Sequence, residues 1–252
     1  MCCFSGHVDR VAGTQIFARL KEEATQFVVY SMTLSSKSEV AMILPIPVKP
    51  GSGEDAVKFI SLEEYPDFFG DLNLGFPVPP PPGGISRSAN APKALPDSKP
   101  LKVVSVGKFE ASFVPTVKDF ARLDDRFKLP SGTWEKLGDY AKFGFAVFKL
   151  KAGEQTIHPM AFEFPTALPS KLFFPTVHVH DGKVHETAGF DHTLFAQFDF
   201  VHPEANRMKW RESPKLAGAF MKIDKCQKIV NEREHGYKLT LRGRLKNADT
   251  LV

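Results

Sequence analysis

Three apolar stretches follow one another early in the chain. Residues 14–20 (TQIFARL), 25–34 (TQFVVYSMTL) and 39–48 (EVAMILPIPV) are short, rich in β-branched and aromatic residues, and separated by polar residues. That pattern predicts three strands. The third is nearly all apolar, as a strand covered on both faces should be. Pro45 and Pro47 lack backbone donors, so regular pairing is expected to end there. Ser61 is placed to cap a short helix over 62–72, with Glu63 and Glu64 in its first turn.

Further along, 103–114 and 143–150 alternate as strands, and 160–164 is a shorter one. Helical spacing of Val117, Phe120, Ala121 and Leu123 predicts a helix over 116–127, and 133–141 suits another. Pro214 opens a predicted helix over 214–222. Residues 237–245 form a last strand, in which Lys238, Thr240, Arg242 and Arg244 alternate with Leu239, Leu241 and Gly243. This alternation marks a strand with one solvated face. Between these halves, 77–100 holds eight prolines and few apolar anchors. It reads as a linker or lid, and Pro79–Pro82 favours polyproline II.

The expected fold is therefore α+β: β-rich, mostly antiparallel sheets, a few short helices and the Pro-rich linker. The segments are an N-terminal β-rich lobe over 1–76, the linker over 77–100 and an α+β lobe over 101–252, integrated as one domain.

Composition fits this picture. The chain has 252 residues, 23 Phe and 20 Pro, and a net charge of +4 with both signs interleaved. So small an excess gives no footprint for nucleic acid. No apolar run is long enough to cross a membrane. The start, MCCFSGHVDR, lacks the apolar stretch of an export signal. Three cysteines make no disulfide framework, so a reducing cytoplasm is expected.

Two regions carry a family resemblance. One is the strand ending Met42-Ile-Leu-Pro-Ile-Pro47. The other is the order Val106-Gly-Lys-Phe-Glu-Ala, a helix, Tyr140-Ala-Lys-Phe-Gly-Phe-Ala-Val-Phe-Lys-Leu150, then His158-Pro-Met-Ala-Phe-Glu-Phe164 and Leu172-Phe-Phe-Pro175. Together they resemble an uncharacterised bacterial family known only as a domain of unknown function. The resemblance implies a mixed β-rich fold and no activity. The MCC start and a His-rich stretch lie beyond the shared pattern, which makes them the places to look for chemistry.

That stretch, 173–192 (FFPTVHVHDGKVHETAGFDH), holds four of the eight histidines. Asp181-Gly182 is a strong signal for a two-residue hairpin turn. In that register His178 faces His185 and His180 faces Lys183, with all four on one side and Val179 and Val184 on the other. Three imidazoles so placed suit an open transition-metal site, for Zn, Cu or Fe, with a position left for water or a small-molecule or peptide substrate. His192, Glu186 and His158 are lesser candidate ligands. The His-x-His spacing is similar to that of metal-binding cupins, but Glu186 falls too far from His180 for that pattern. Lys183 on the same face opposes a cation, and a merely solvated polar face or a metal-free acid/base site stand as alternatives.

The N-terminus offers a different chemistry. Removal of Met1 would leave Cys2 with a free amine beside its thiol, and such an amine can serve as base for its own nucleophile. This start weakly resembles N-terminal-nucleophile amidases, which implies amide-bond hydrolysis by Cys2. Cys2, Cys3 and His7 also suit soft-metal binding, and plain packing of two small residues is the simplest alternative. A non-catalytic binding module, engaging a partner through the hairpin or the Pro-rich segment, is the third functional reading.

Overall fold

The computed structural model describes residues 3–21, 24–77, 104–106, 109–129, 132–133, 140–179, 183–198 and 209–252. Fifteen strands are described: β1 (Cys3–Phe4), β2 (Arg10–Lys21), β3 (Thr25–Ser36), β4 (Val40–Ile46), β5 (Lys58–Ser61), β6 (Val104–Val106), β7 (Phe109–Val114), β8 (Gly144–Leu150), β9 (Gly153–Thr156), β10 (Met160–Pro165), β11 (Phe173–Phe174), β12 (Thr187–Gln197), β13 (Arg211–Leu216), β14 (His235–Lys246) and β15 (Thr250–Leu251). One α-helix, α1 (Phe68–Leu74), and short 3-10 turns complete the described elements.

The strands form two large sheets. One runs β1-β4-β8-β7-β6 and the other β13-β14-β12-β2-β3-β10-β5, with β9 also on β3. Nearly all pairings are antiparallel, β12 with β2 being parallel. The protein is therefore β-rich and mostly antiparallel. The central core lies between the sheets: Val28, Tyr30, Met32 and Leu34 of β3 meet Met42 and Leu44 of β4, Phe148 of β8 and Phe162 of β10. A second apolar layer covers the outer face of the larger sheet, where Phe17, Val29 and Phe195 pack on Phe68, Phe69 and Leu72 of α1 and on Ile229. A third covers the smaller sheet, where Ala41, Ile43, Phe145 and Val147 meet Phe120, Leu129, Tyr140 and Val179. Both faces of β3 and β4 are thus largely buried, as the Phe27–Tyr30 run of β3 and the wholly apolar β4 require.

Several elements differ from the sequence expectation, each for a local reason. Pro45 lies inside β4, opposite Phe145. On that side the described β1 reaches only the rung of Ile43, so among the described residues the missing N–H breaks no ladder. The helix expected over 62–72 starts only at Phe68, after Pro66, and Ser61 ends β5 instead. Gly75 closes that helix beneath the ring of Phe220, where a Cβ would lie 2.6 Å from the ring. The single strand expected over 103–114 is the hairpin β6–β7. The helix over 116–127 is two 3-10 turns, Val117–Arg122 and Asp125–Phe127. The helix over 214–222 is the end of β13 and a 3-10 turn, Ala217–Ala219. Most of the helix expected over 133–141, and the linker beyond Pro77, lie outside the described residues. No described helix is long and apolar enough to cross a membrane.

Candidate functional site

The His-rich stretch and the N-terminal residues meet on the outer flank of the smaller sheet. Cys3 pairs with Ile43 of β4 on one side and bridges Val179 on the other. Phe4 N donates to Val179 O at 3.1 Å, and Ser5 N to Ala41 O at 3.0 Å. Residues 172–179 therefore form a strap that holds β1 in place.

The strap is fastened in turn by the polar run 247–250. Asp249 Oδ1 accepts from Thr176 N at 2.7 Å and from Val177 N at 2.9 Å. Thr176 Oγ1 donates to Ala248 O at 3.0 Å. Leu172 and Val252 exchange backbone bonds at 2.7 and 2.9 Å, and β11 pairs with β15. Asn247 closes the far end: its Oδ1 accepts from His178 N at 2.7 Å, and its Nδ2 donates to both His178 O and His185 O at 2.9 Å. Burial pushes the Asp249 carboxyl up to about 6, although the Tyr140 hydroxyl and the two backbone donors favour its charged form.

The turn expected at Asp181-Gly182 lies outside the described residues. Its two legs, 175–178 and 183–186, form no ladder among the described residues, and the Asn247 carboxamide bonds His178 N, His178 O and His185 O. The second leg becomes β12, paired with β14 and β2. His178 and His185 consequently have opposite environments. His178 is buried, its ring 4.4 Å from that of Phe190 and edge-on to His192 at 5.1 Å. His192 is fully buried in β12, across from Leu241. His185, Lys183 and Glu186 are exposed, and the Glu186 carbonyl accepts from Asn247 N. His158 sits between β9 and β10 with its Nδ1 3.2 Å from Pro159 O. His180, with Asp181 and Gly182, lies outside the described residues.

The structure thus unites His178 with His192, which the hairpin geometry had set apart, and separates both from His185 and Glu186. Among the described residues no three His, Cys, Asp or Glu side chains are grouped to hold a metal ion. Cys2 lies outside the described residues, and His7 is exposed beside Asp9. Cys3 is buried among apolar side chains, and burial pushes the Cys226 thiol up to about 12, with Asp224 and Asp71 adding to the shift. Neither described thiol is poised as a nucleophile, which requires a lowered pKa and access. Asn247 and Asp249 carry the strap and went unnoticed in the sequence. Their signal was the polar run Asn247-Ala-Asp-Thr250 closing an otherwise alternating strand.

No protein-family model and no characterised protein matches this sequence. Solved structures do. The chain is similar to baculovirus P35 at 14% identity, with 99% of this chain and 98% of that one covered and a TM-score of 0.51. This likeness concerns the fold. Two further P35 structures also align: a mutated P35 after caspase cleavage, at 12% identity over 95% and 99% of the chains with a TM-score of 0.47, and P35 in complex with caspase-8, at 12% over 95% of each with a TM-score of 0.45.

Proposed function

We propose that the protein is a non-catalytic binding module whose partner is a cysteine protease of the caspase kind. The supporting observation is the likeness to P35 along nearly the whole of both chains. P35 forms a complex with caspase-8, and a mutated P35 is known in a caspase-cleaved form. The flank around the histidines agrees with this reading, since Thr176, Asn247 and Asp249 are spent on backbone groups and hold a strap. An open catalytic or metal position would instead leave such groups facing a ligand.

The test is direct. Active caspase-8 is incubated with increasing amounts of the protein, residual peptidase activity is read with a fluorogenic peptide, and the mixture is run on a sizing column. Loss of activity in proportion to added protein, with co-elution, is expected. Undiminished activity and separate elution would overturn the proposal. A variant lacking residues 79–100 asks whether the Pro-rich segment engages the partner, and loss of the complex is expected. Elemental analysis separates this reading from a metalloprotein: below about 0.2 metal per chain after metal-replete growth is expected.

A further inference from the structure

We infer that the open edge of β14 over residues 239–246 is a docking strand for an extended acidic segment of a partner protein. This does not rest on the protease reading.

Among the described residues β14 is held along one side only. β12 pairs with it from Tyr237 to Lys246, whereas β13 meets it only at His235, Tyr237 and Lys238. Beyond Lys238 no described strand lies on that side. In an antiparallel ladder every second residue turns its N–H and C=O away from the paired strand, so this edge presents a row of backbone groups with no partner strand among the described residues. Thr240 and all residues from Arg242 to Lys246 are exposed, and Leu245 is 36% exposed. The edge is nonetheless rigid, because Leu239 and Leu241 pack against the central core. A preformed edge spares a peptide part of the ordering cost of strand addition.

Charge selects the occupant. Thr240, Arg242, Arg244 and Lys246 share the solvent face, with cations at alternate positions roughly 7 Å apart. Among the described residues none of these three cations forms an ion pair. Arg244 Nε is steadied by Thr187 Oγ1 at 3.0 Å, and Asp191, across from Arg242, accepts from Gly13 N instead. A second copy pairing antiparallel on this edge would set these cations against one another. An extended segment with acids at every second residue matches them. Gly243, at φ 91°, has open space where a Cβ would lie. Glycine within a strand commonly marks close approach by another backbone.

The probe is a fluorescein-labelled peptide that spans residues 239–246 and alternates Glu with Val, with a Lys/Val peptide as control. Saturable anisotropy is expected with the Glu/Val peptide alone, weakening about tenfold between about 50 and 300 mM salt. Amide exchange of 239–246 should slow in the complex. Arg242→Glu with Arg244→Glu should lose the Glu/Val peptide and gain the Lys/Val one. Arg242→Gln with Arg244→Gln should bind neither well, and unchanged melting curves verify both folds. Absence of saturable binding, binding without slowed exchange over 239–246, or a free dimer with these amides already protected would each overturn the inference.

Discussion

Two aspartates, on opposite outer flanks of the molecule, each fasten an irregular segment to a sheet, and they do so by different means. On the larger sheet Asp71 accepts from Tyr65 OH at 2.7 Å and lies 3.2 Å from Lys222 Nζ. Tyr65 OH also accepts from Lys222 N at 2.9 Å, so α1 and the turn after β13 are joined by a carboxylate with a cation beside it. On the smaller sheet Asp249 is fully buried and is held by backbone N–H groups and a tyrosine hydroxyl, with no Lys or Arg partner among the described residues. Burial disfavours the charged carboxylate, and with no Lys or Arg beside it the value rises. The strap that seats β1 is therefore tied by a group that changes charge near pH 6, whereas the α1 flank is tied by an ion pair.

Replacing Asp249 sharpens this contrast most. Asp249→Ala leaves Thr176 N and Val177 N buried without an acceptor and is expected to cost about 2–4 kcal/mol in urea unfolding, since each orphaned donor costs about 1–3 kcal/mol. Asp249→Asn keeps an oxygen for both donors and is expected to remain within about 1 kcal/mol of the parent at pH 7.

The pH dependence follows from the same carboxyl. Its folded value, about 6, exceeds the ordinary 3.8, so the folded state holds the proton more tightly. The resulting stability is fully present below about pH 4 and is lost as pH rises through 6, a change on the order of 3 kcal/mol. Other carboxylates act oppositely, notably Asp124, which hydrogen bonds from Arg126 hold at about 2. The informative quantity is therefore the difference between parent and Asp249→Asn across pH 4–7. A constant difference would remove the distinction between the two flanks.

Smaller effects come next. Asn247→Ala loses three bonds to the legs at His178 and His185 and is expected to cost about 1–3 kcal/mol, with faster amide exchange at His178. Tyr65→Phe removes the hydroxyl from the ion-paired flank and should cost about 1–2 kcal/mol in urea unfolding.

The same comparison shows what the sequence could reveal. β3 and β4 were legible because burial on both faces demands apolar runs, Phe27–Tyr30 in the first and the whole strand in the second. β14 was legible because the face that turns Tyr237, Leu239 and Leu241 toward the core demands alternation. β12 was not, because Thr187-Ala-Gly-Phe-Asp-His-Thr193 buries only some of its side chains, and Asp181-Gly182 pointed to local pairing instead. The long-range contacts of Asn247, more than sixty residues from His178, leave no local periodic mark. His178 and His192 were individually visible, yet their meeting depends on β12 pairing with β14 and β2, which only the tertiary fold decides. The clasp at Asp249 was hidden for a similar reason: an Asp in a polar run reads as a surface turn until its burial is known.

The most direct measurement of the functional account is the titration of active caspase-8 with the purified protein, read by residual peptidase activity and by co-elution. The account predicts activity falling in proportion to added protein and a complex that elutes as one species. Full activity at a large molar excess, with the two proteins eluting apart, would contradict it.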